Sequence, residues 1–135
     1  MTIAIKPHIL FLWRIFLRLG SSANVLSQPK YFRDGVIYSL QRKGRVLLAD
    51  DMGLGKTIQA LAIASAYKSD WPLLIVCPSS VRFAWRSAVV RWLPSVPEEE
   101  VAVITSGRDE LDGNVIIISY DLLSRKQDEL VRYFF

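Results

Sequence analysis

The sequence has a single cysteine, Cys77, and a single histidine, His8. One cysteine excludes an intramolecular disulfide and a cysteine-rich zinc site, and one histidine argues against a His-based metal centre. Acidic residues are missing from residues 1–33, where Lys6, Arg14, Arg18, Lys30 and Arg33 stand without a counter-charge. All 13 Asp and Glu lie later, among the other Lys and Arg of a total of 17, so the remainder is close to neutral. The net charge of +4 and the pI near 9.4 therefore describe the N-terminus and are weak support for nucleic-acid binding by the rest. A long apolar run is missing too. Ile9-Leu10-Phe11-Leu12-Trp13 is broken by Arg14 and again by Arg18, whereas a membrane span needs about 20 mainly apolar residues. Each arginine would cost roughly 2.5–3.5 kcal/mol near a bilayer centre, and each apolar neighbour returns at most about 0.6 kcal/mol. The tract through Leu19 is expected not to cross a membrane. Its acid-free, Arg-bearing character is also compatible with a mitochondrial presequence, and Ser21-Ser22-Ala23 hints at a secretory cleavage site. The plainer reading is an appended helix followed by a polar linker, giving an atypical segment over 1–30 and a second segment over 31–135.

The chain of 135 residues is 51% hydrophobic and 22% charged, enough apolar matter for one packed core and too much for general disorder. Four short apolar runs read as strands: Val46-Leu47-Leu48-Ala49, Leu73-Leu74-Ile75-Val76-Cys77, Val101-Ala102-Val103-Ile104-Thr105 and Val115-Ile116-Ile117-Ile118-Ser119. They are continuously hydrophobic, as strands buried on both faces of a parallel sheet are. Between them, residues 57–67 are apolar almost all round and predict a buried helix. Val81, Trp85, Ala88, Val89 and Trp92 form one stripe at helical spacing. Trp85, Trp92 and Cys77 read as core, and Glu98-Glu99-Glu100 as a solvated loop. Strands alternating with helices predict an α/β fold, a parallel sheet with helices on both faces.

The loop after the first of these runs carries the chemistry. Ala49-Asp50-Asp51-Met52-Gly53-Leu54-Gly55-Lys56-Thr57 joins a strand candidate to the buried helix. Gly53 and Gly55 let backbone N–H groups close around a phosphate without a Cβ in the way. The helix that follows aims its N-terminus at the anion. Lys56 can reach the β- and γ-phosphates of a nucleotide, and the Thr57 hydroxyl can ligate Mg²⁺. The strict phosphate-loop pattern wants glycine where Asp50 stands, so only its Gly-Lys-Thr half is met. Two other readings compete: a metal-binding strand ending in Asp50-Asp51, and a glycine-rich turn with a solvated lysine.

The same twelve residues, Ala49 to Ala60, closely resemble motif I of the Swi/Snf-type ATPases, a branch of the superfamily 2 helicases. Trp71-Pro72-Leu73-Leu74-Ile75-Val76-Cys77-Pro78-Ser79-Ser80-Val81-Arg82-Phe83-Ala84-Trp85 looks like motif Ia of that family. Val115-Ile116-Ile117-Ile118-Ser119-Tyr120-Asp121-Leu122-Leu123-Ser124 looks like motif Ib. The wording Trp-Pro-Leu-Leu-Ile-Val-x-Pro-Ser-Ser is similar to the HepA-related annealing helicases. The resemblance implies a partial RecA-like P-loop lobe, ATP and Mg²⁺ as cofactors, DNA (branched, or with single/double-strand junctions) as partner, and a place in the nucleus in fork remodelling and repair. It implies nucleotide contacts from Arg33, Asp51, Met52, Gly53, Leu54, Gly55, Lys56 and Thr57, with Lys56 catalytic and Thr57 on the metal. It implies a DNA track along motifs Ia and Ib, through Ser79, Ser80, Ser119 and Tyr120, with Arg82 and Arg86 one turn apart beside them. For these two arginines a solvated helix face is the competing reading.

Two departures stand out. The family usually reads Pro-Phe-Gln-Arg-x-Gly ahead of motif I, and here Lys30-Tyr31-Phe32-Arg33-Asp34-Gly35 puts Phe32 in the Gln position. The Asp-Glu-x-His box that would hold Mg²⁺ and help activate water is not found in the sequence. The expectation is a truncated first lobe without turnover of its own. A noncatalytic fragment that binds nucleotide or DNA weakly, and a different P-loop enzyme such as a small-molecule kinase, are the other classes considered.

Overall fold

The computed structural model describes residues 30–49 and 55–134. The expected N-terminal helix and linker lie outside the described residues, as do Asp50, Asp51, Met52, Gly53 and Leu54. The chain forms two compact units, one of which ends at Asp70 and the other of which takes up Trp71 onward.

The described part of the first unit contains two α-helices. Helix α1 (Lys30–Gln41) buries Phe32, Val36 and Ser39. Ser39 Oγ donates back to the Gly35 carbonyl at 2.7 Å, which satisfies a hydroxyl that would otherwise be buried without a partner. Helix α2 (Lys56–Ala66) buries Gln59 through Ala64 without a break. That agrees with its run of Ala, Leu and Ile. The two helices touch at one close point. Gln59 Nε2 donates to the Phe32 carbonyl at 3.2 Å. A Cβ added to Gly35 would stand 2.1 Å from that same nitrogen. Glycine at 35 is thus what lets α1 approach the amide of Gln59.

The expected strand at residues 46–49 does not form. Those residues belong to no strand, and Leu47 is 84% exposed. A strand exists only as a member of a ladder, and no described strand pairs with this run. Apolar content alone did not supply the neighbour.

The second unit is a parallel α/β sheet of three described strands: β1 (Leu73–Cys77), β2 (Val101–Val103) and β3 (Val115–Ser119), in the order β1-β3-β2. The register places Leu73 and Val101 on either side of Val115, and Cys77 beside Ser119. Central β3 is buried along its whole length, which is why it reads as a run of isoleucines. Alternation sends Val76, Ile116 and Ile118 into a cluster with Ile104, Leu111, Leu122 and Leu130. Leu73, Ile75, Val115 and Ile117 on the other face are also buried. Helix α3 (Arg82–Trp92) lies against β2 and β3, with Trp85 and Val89 buried as the stripe predicts. Val81, at the start of that stripe, falls in a short 3-10 turn (Ser79–Val81) and is 37% exposed. Helix α4 (Tyr120–Arg125) touches β1 and β3, and α5 (Gln127–Phe134) follows it. Glu98–Glu100, expected as a loop, forms a 3-10 turn. No helix among the described residues is long and apolar enough to cross a membrane.

Candidate functional site

In the first unit the described part of the phosphate-loop motif is Gly55-Lys56-Thr57. Gly55 has φ 82 and ψ 27, the left-handed region that a side chain disfavours. A Cβ there would meet nothing within 4 Å, so the glycine is required by the backbone angle and not by crowding. Gly55 is the N-cap of α2, and its carbonyl accepts the first helical bond from Gln59 N at 3.0 Å. As a glycine, the N-cap residue has no side chain with which to cap this end. The first-turn N–H groups carry partial positive charge at this end of the helix. Lys56 and Thr57 occupy that first turn and are half-buried. This end fits a phosphate: donors, a left-handed glycine and an ammonium stand in consecutive residues. On α1, Arg33 is half-buried, and Phe32, at the position where the family resemblance leads one to expect Gln, is 1% exposed. Phe32 is a core residue, and its contribution to α2 is its carbonyl, taken by Gln59.

In the second unit, the ends of three parallel strands form one polar edge. Open parallel sheets place their ligand sites at the carboxyl ends of the strands. Beyond β1, Pro78 leads into the Ser79–Val81 turn, where Ser79 and Ser80 are exposed. Arg82 is fixed there. Its Nε donates to the Ser79 carbonyl at 3.1 Å and its Nη1 to the Ile104 carbonyl at 2.6 Å, tying the exit of β1 to the exit of β2. Beyond β3, Ser119 is fully buried and Tyr120 is 52% exposed. The expected site is therefore split. Ser79, Ser80, Arg82 and Tyr120 lie on the edge, and Ser119 lies inside it. Arg86 is turned elsewhere: its Nη2 pairs with Glu98 Oε1 at 2.8 Å, ahead of β2 and away from the strand ends.

Two carboxylates shape this edge. Asp121 is held below its ordinary pKa, first by the Ser119 hydroxyl, then by its own backbone N–H and by the charges of Arg125 and Arg82. The Ser119 Oγ contact falls short of a well-formed hydrogen bond, so that hydroxyl is near the carboxylate without being fully satisfied. Asp109 was not singled out from the sequence. Its Oδ2 accepts from Thr105 N at 2.7 Å, Thr105 Oγ1 at 2.8 Å and Ser106 N at 3.1 Å, and its Oδ1 from Ser106 Oγ at 2.7 Å. These bonds hold its carboxyl far below the ordinary range, the Ser106 hydroxyl contributing most. They close the turn after β2 and present Gly107 and Arg108 at the exposed tip. The signal was an Asp a few residues after Thr-Ser, the local pattern by which a side chain folds its own backbone. Cys77, at the end of β1, is 2% exposed, and burial pushes its thiol up while the nearby Arg82 charge opposes this. No cluster of three or more His, Cys, Asp or Glu able to hold a metal occurs among the described residues.

Comparison with known proteins agrees with this architecture. The SNF2-related domain matches residues 32–133. The chain is 56% identical over 103 residues to the SWI/SNF-related matrix-associated actin-dependent regulator of chromatin subfamily A-like protein 1 of Xenopus laevis, covering 76% of this chain and 11% of that protein. It is 45% identical over 105 residues to the homolog of that protein in Caenorhabditis elegans, covering 74% of this chain and 15% of the other. It is 44% identical over 102 residues to the DNA annealing helicase and endonuclease ZRANB3 of Mus musculus, covering 73% and 10%. The chain thus spans about a tenth of the length of most of these relatives. A match that runs from Phe32 at the start of α1 to Tyr133 in α5 takes in both units, and with it the chain belongs to the SNF2-related domain family.

Proposed function

We propose that this chain supplies the ATP-binding part of a DNA-dependent ATPase of the annealing-helicase kind, acting on DNA in fork remodelling and repair, in the nucleus. The observation that carries the nucleotide half is Gly55. It is a left-handed glycine at the N-cap of α2, followed at once by Lys56 and Thr57. Backbone N–H groups of the first turn of α2 would bind phosphate oxygens, and the Lys56 ammonium would offset their charge. The Thr57 hydroxyl would be one ligand of Mg²⁺, the metal supplying charge neutralisation across the β- and γ-phosphates. Arg33, on the helix that Gln59 ties to α2, is the residue of α1 assigned to the nucleotide.

The DNA half is supported by the polar edge and by relatives named as a DNA annealing helicase and a chromatin regulator. Exposed Ser79 and Ser80, anchored Arg82 and the Ser106-Gly107-Arg108 tip offer hydroxyls, backbone N–H groups and guanidinium to a phosphate backbone. Such contacts position a strand without reading its sequence. Binding of a fluorescent ATP analogue in the presence of Mg²⁺ tests the nucleotide half. Saturable binding that is competed by ATP and lost in Lys56→Ala is expected. Binding that survives Lys56→Ala unchanged would remove the phosphate-loop assignment.

A further inference from the structure

Gln59 is the polar member of the buried stretch Gln59–Ala64 of α2, and it is 1% exposed. Its companions there are Ala, Leu and Ile, so packing alone would be served by another apolar side chain. The amide is only half used. Nε2 donates to the Phe32 carbonyl at 3.2 Å, while Oε1 finds no hydrogen-bond partner among the described residues. A buried acceptor left unmet works against stability. What glutamine adds at this position is a directed bond from α2 to α1. Gly35 keeps the room for it, since a Cβ there would stand 2.1 Å from Nε2. Gln59 lies four residues beyond the N-cap Gly55, about 6 Å or one helical turn from the end that fits a phosphate. The bond therefore docks α1 one turn from that end. The residue of α1 after Phe32 is Arg33. It is half-buried, and no carboxylate among the described residues pairs with it, Asp34 being taken by Lys30 at 3.4 Å. A half-buried guanidinium without a counter-charge calls for an anion, and an arginine side chain spans one helical turn.

We propose that Gln59 is a positioning residue for nucleotide binding: its bond to the Phe32 carbonyl holds Arg33 within reach of a nucleotide seated at Gly55, Lys56 and Thr57. The inference rests on the nucleotide reading above and deepens it. Gln59 is buried and does not touch the nucleotide. It acts through Arg33, by fixing the turn of α1 that carries the guanidinium. This accounts for a glutamine in an otherwise apolar stretch, for a glycine opposite it, and for an arginine left without a partner beside it.

The test is a double-mutant cycle on the full chain, read by affinity for a fluorescent ATP analogue with Mg²⁺, with urea unfolding of every variant alongside. Arg33→Ala should weaken binding about ten-fold, the worth of one charge-assisted contact. Gln59→Met keeps the length of the side chain and removes the donor, and it should weaken binding at least about five-fold. On the Gln59→Met background, Arg33→Ala should cost less than about two-fold more, because an arginine already out of place has little left to lose. Gly35→Ala displaces the same amide from the α1 side, and it should show the same loss and the same insensitivity to Arg33→Ala. A Gln59 that served folding alone would lower the urea midpoint and leave the Arg33→Ala loss undiminished in these backgrounds, which would overturn the proposal. So would parental affinity in both Gln59→Met and Gly35→Ala. If Arg33→Ala binds like the parent while Lys56→Ala does not bind, Gln59 positions nothing, although the phosphate-loop reading stands. A parent that does not bind the analogue would overturn both.

Discussion

Substituting Gly35→Ala exposes how α1 is fixed to α2. The new Cβ would lie 2.1 Å from Gln59 Nε2 and 3.2 Å from its Cδ. Ordinary contact between such atoms is about 3.5 Å, so the amide must withdraw by roughly 1 Å or more. It has little freedom to do so, because Gln59 is 1% exposed and its Nε2 is bonded to the Phe32 carbonyl. Overpacking of this kind costs about 1–3 kcal/mol. The strained hydrogen bond adds about 1 kcal/mol. Alanine returns about 1 kcal/mol through its better helix propensity. The net expectation is a loss of about 2 kcal/mol, read as a lower urea midpoint with an unchanged slope. Gln59→Ala removes the atoms that clash, so adding Gly35→Ala to that background should be neutral or stabilising. If Gly35→Ala alone raises stability by about 1 kcal/mol, propensity is the only effect at work and the close approach is refuted.

Asp109→Asn should loosen the turn after β2, because a neutral amide accepts less strongly from Thr105 and Ser106 than the carboxylate does. Hydrogen exchange at those two backbone N–H groups would rise while β1 and β3 stay protected. The wild-type turn should keep its protection as pH falls to the ordinary carboxylate value of 3.8 and lose it only below. The sign follows from a lowered folded pKa: the contribution is complete above the unfolded value and disappears as the folded group protonates. Loss of protection already at pH 5 to 6 would contradict it. Cys77 should resist iodoacetamide at neutral pH and react promptly in denaturant, since it is buried and its thiol is pushed up; prompt native-state labelling would place it elsewhere. Ile117→Ala, at a fully buried central position of β3, should cost about 2–5 kcal/mol, and a cost under about 1 kcal/mol would mean that β3 is not the centre of the sheet.

Much of this was legible because it is local. Three of the four apolar runs are strands, for a continuous Val/Ile/Leu run has few ways to hide except between two layers. The all-round apolar helix and the buried faces of Trp85 and Val89 followed from periodicity. What failed depended on partners distant in sequence. Residues 46–49 had the composition of a strand and no described ladder to join. Arg86 read as a possible DNA contact one turn from Arg82, and a carboxylate twelve residues on takes it. Ser119 was expected on the DNA track from the family resemblance, yet it ends the most buried strand. The Asp109 turn was local but small, four polar residues and a glycine that composition alone does not distinguish from any loop.

The account stands most directly on where a nucleotide touches the chain. Backbone amide shifts recorded by NMR during titration with Mg·ATP address that, residue by residue. The account predicts the largest shifts at Gly55, Lys56 and Thr57, a smaller one at Arg33, and their loss in Lys56→Ala. Shifts confined to the strand ends around Ser79, Ser106 and Tyr120, with Gly55 to Thr57 unmoved, would contradict it.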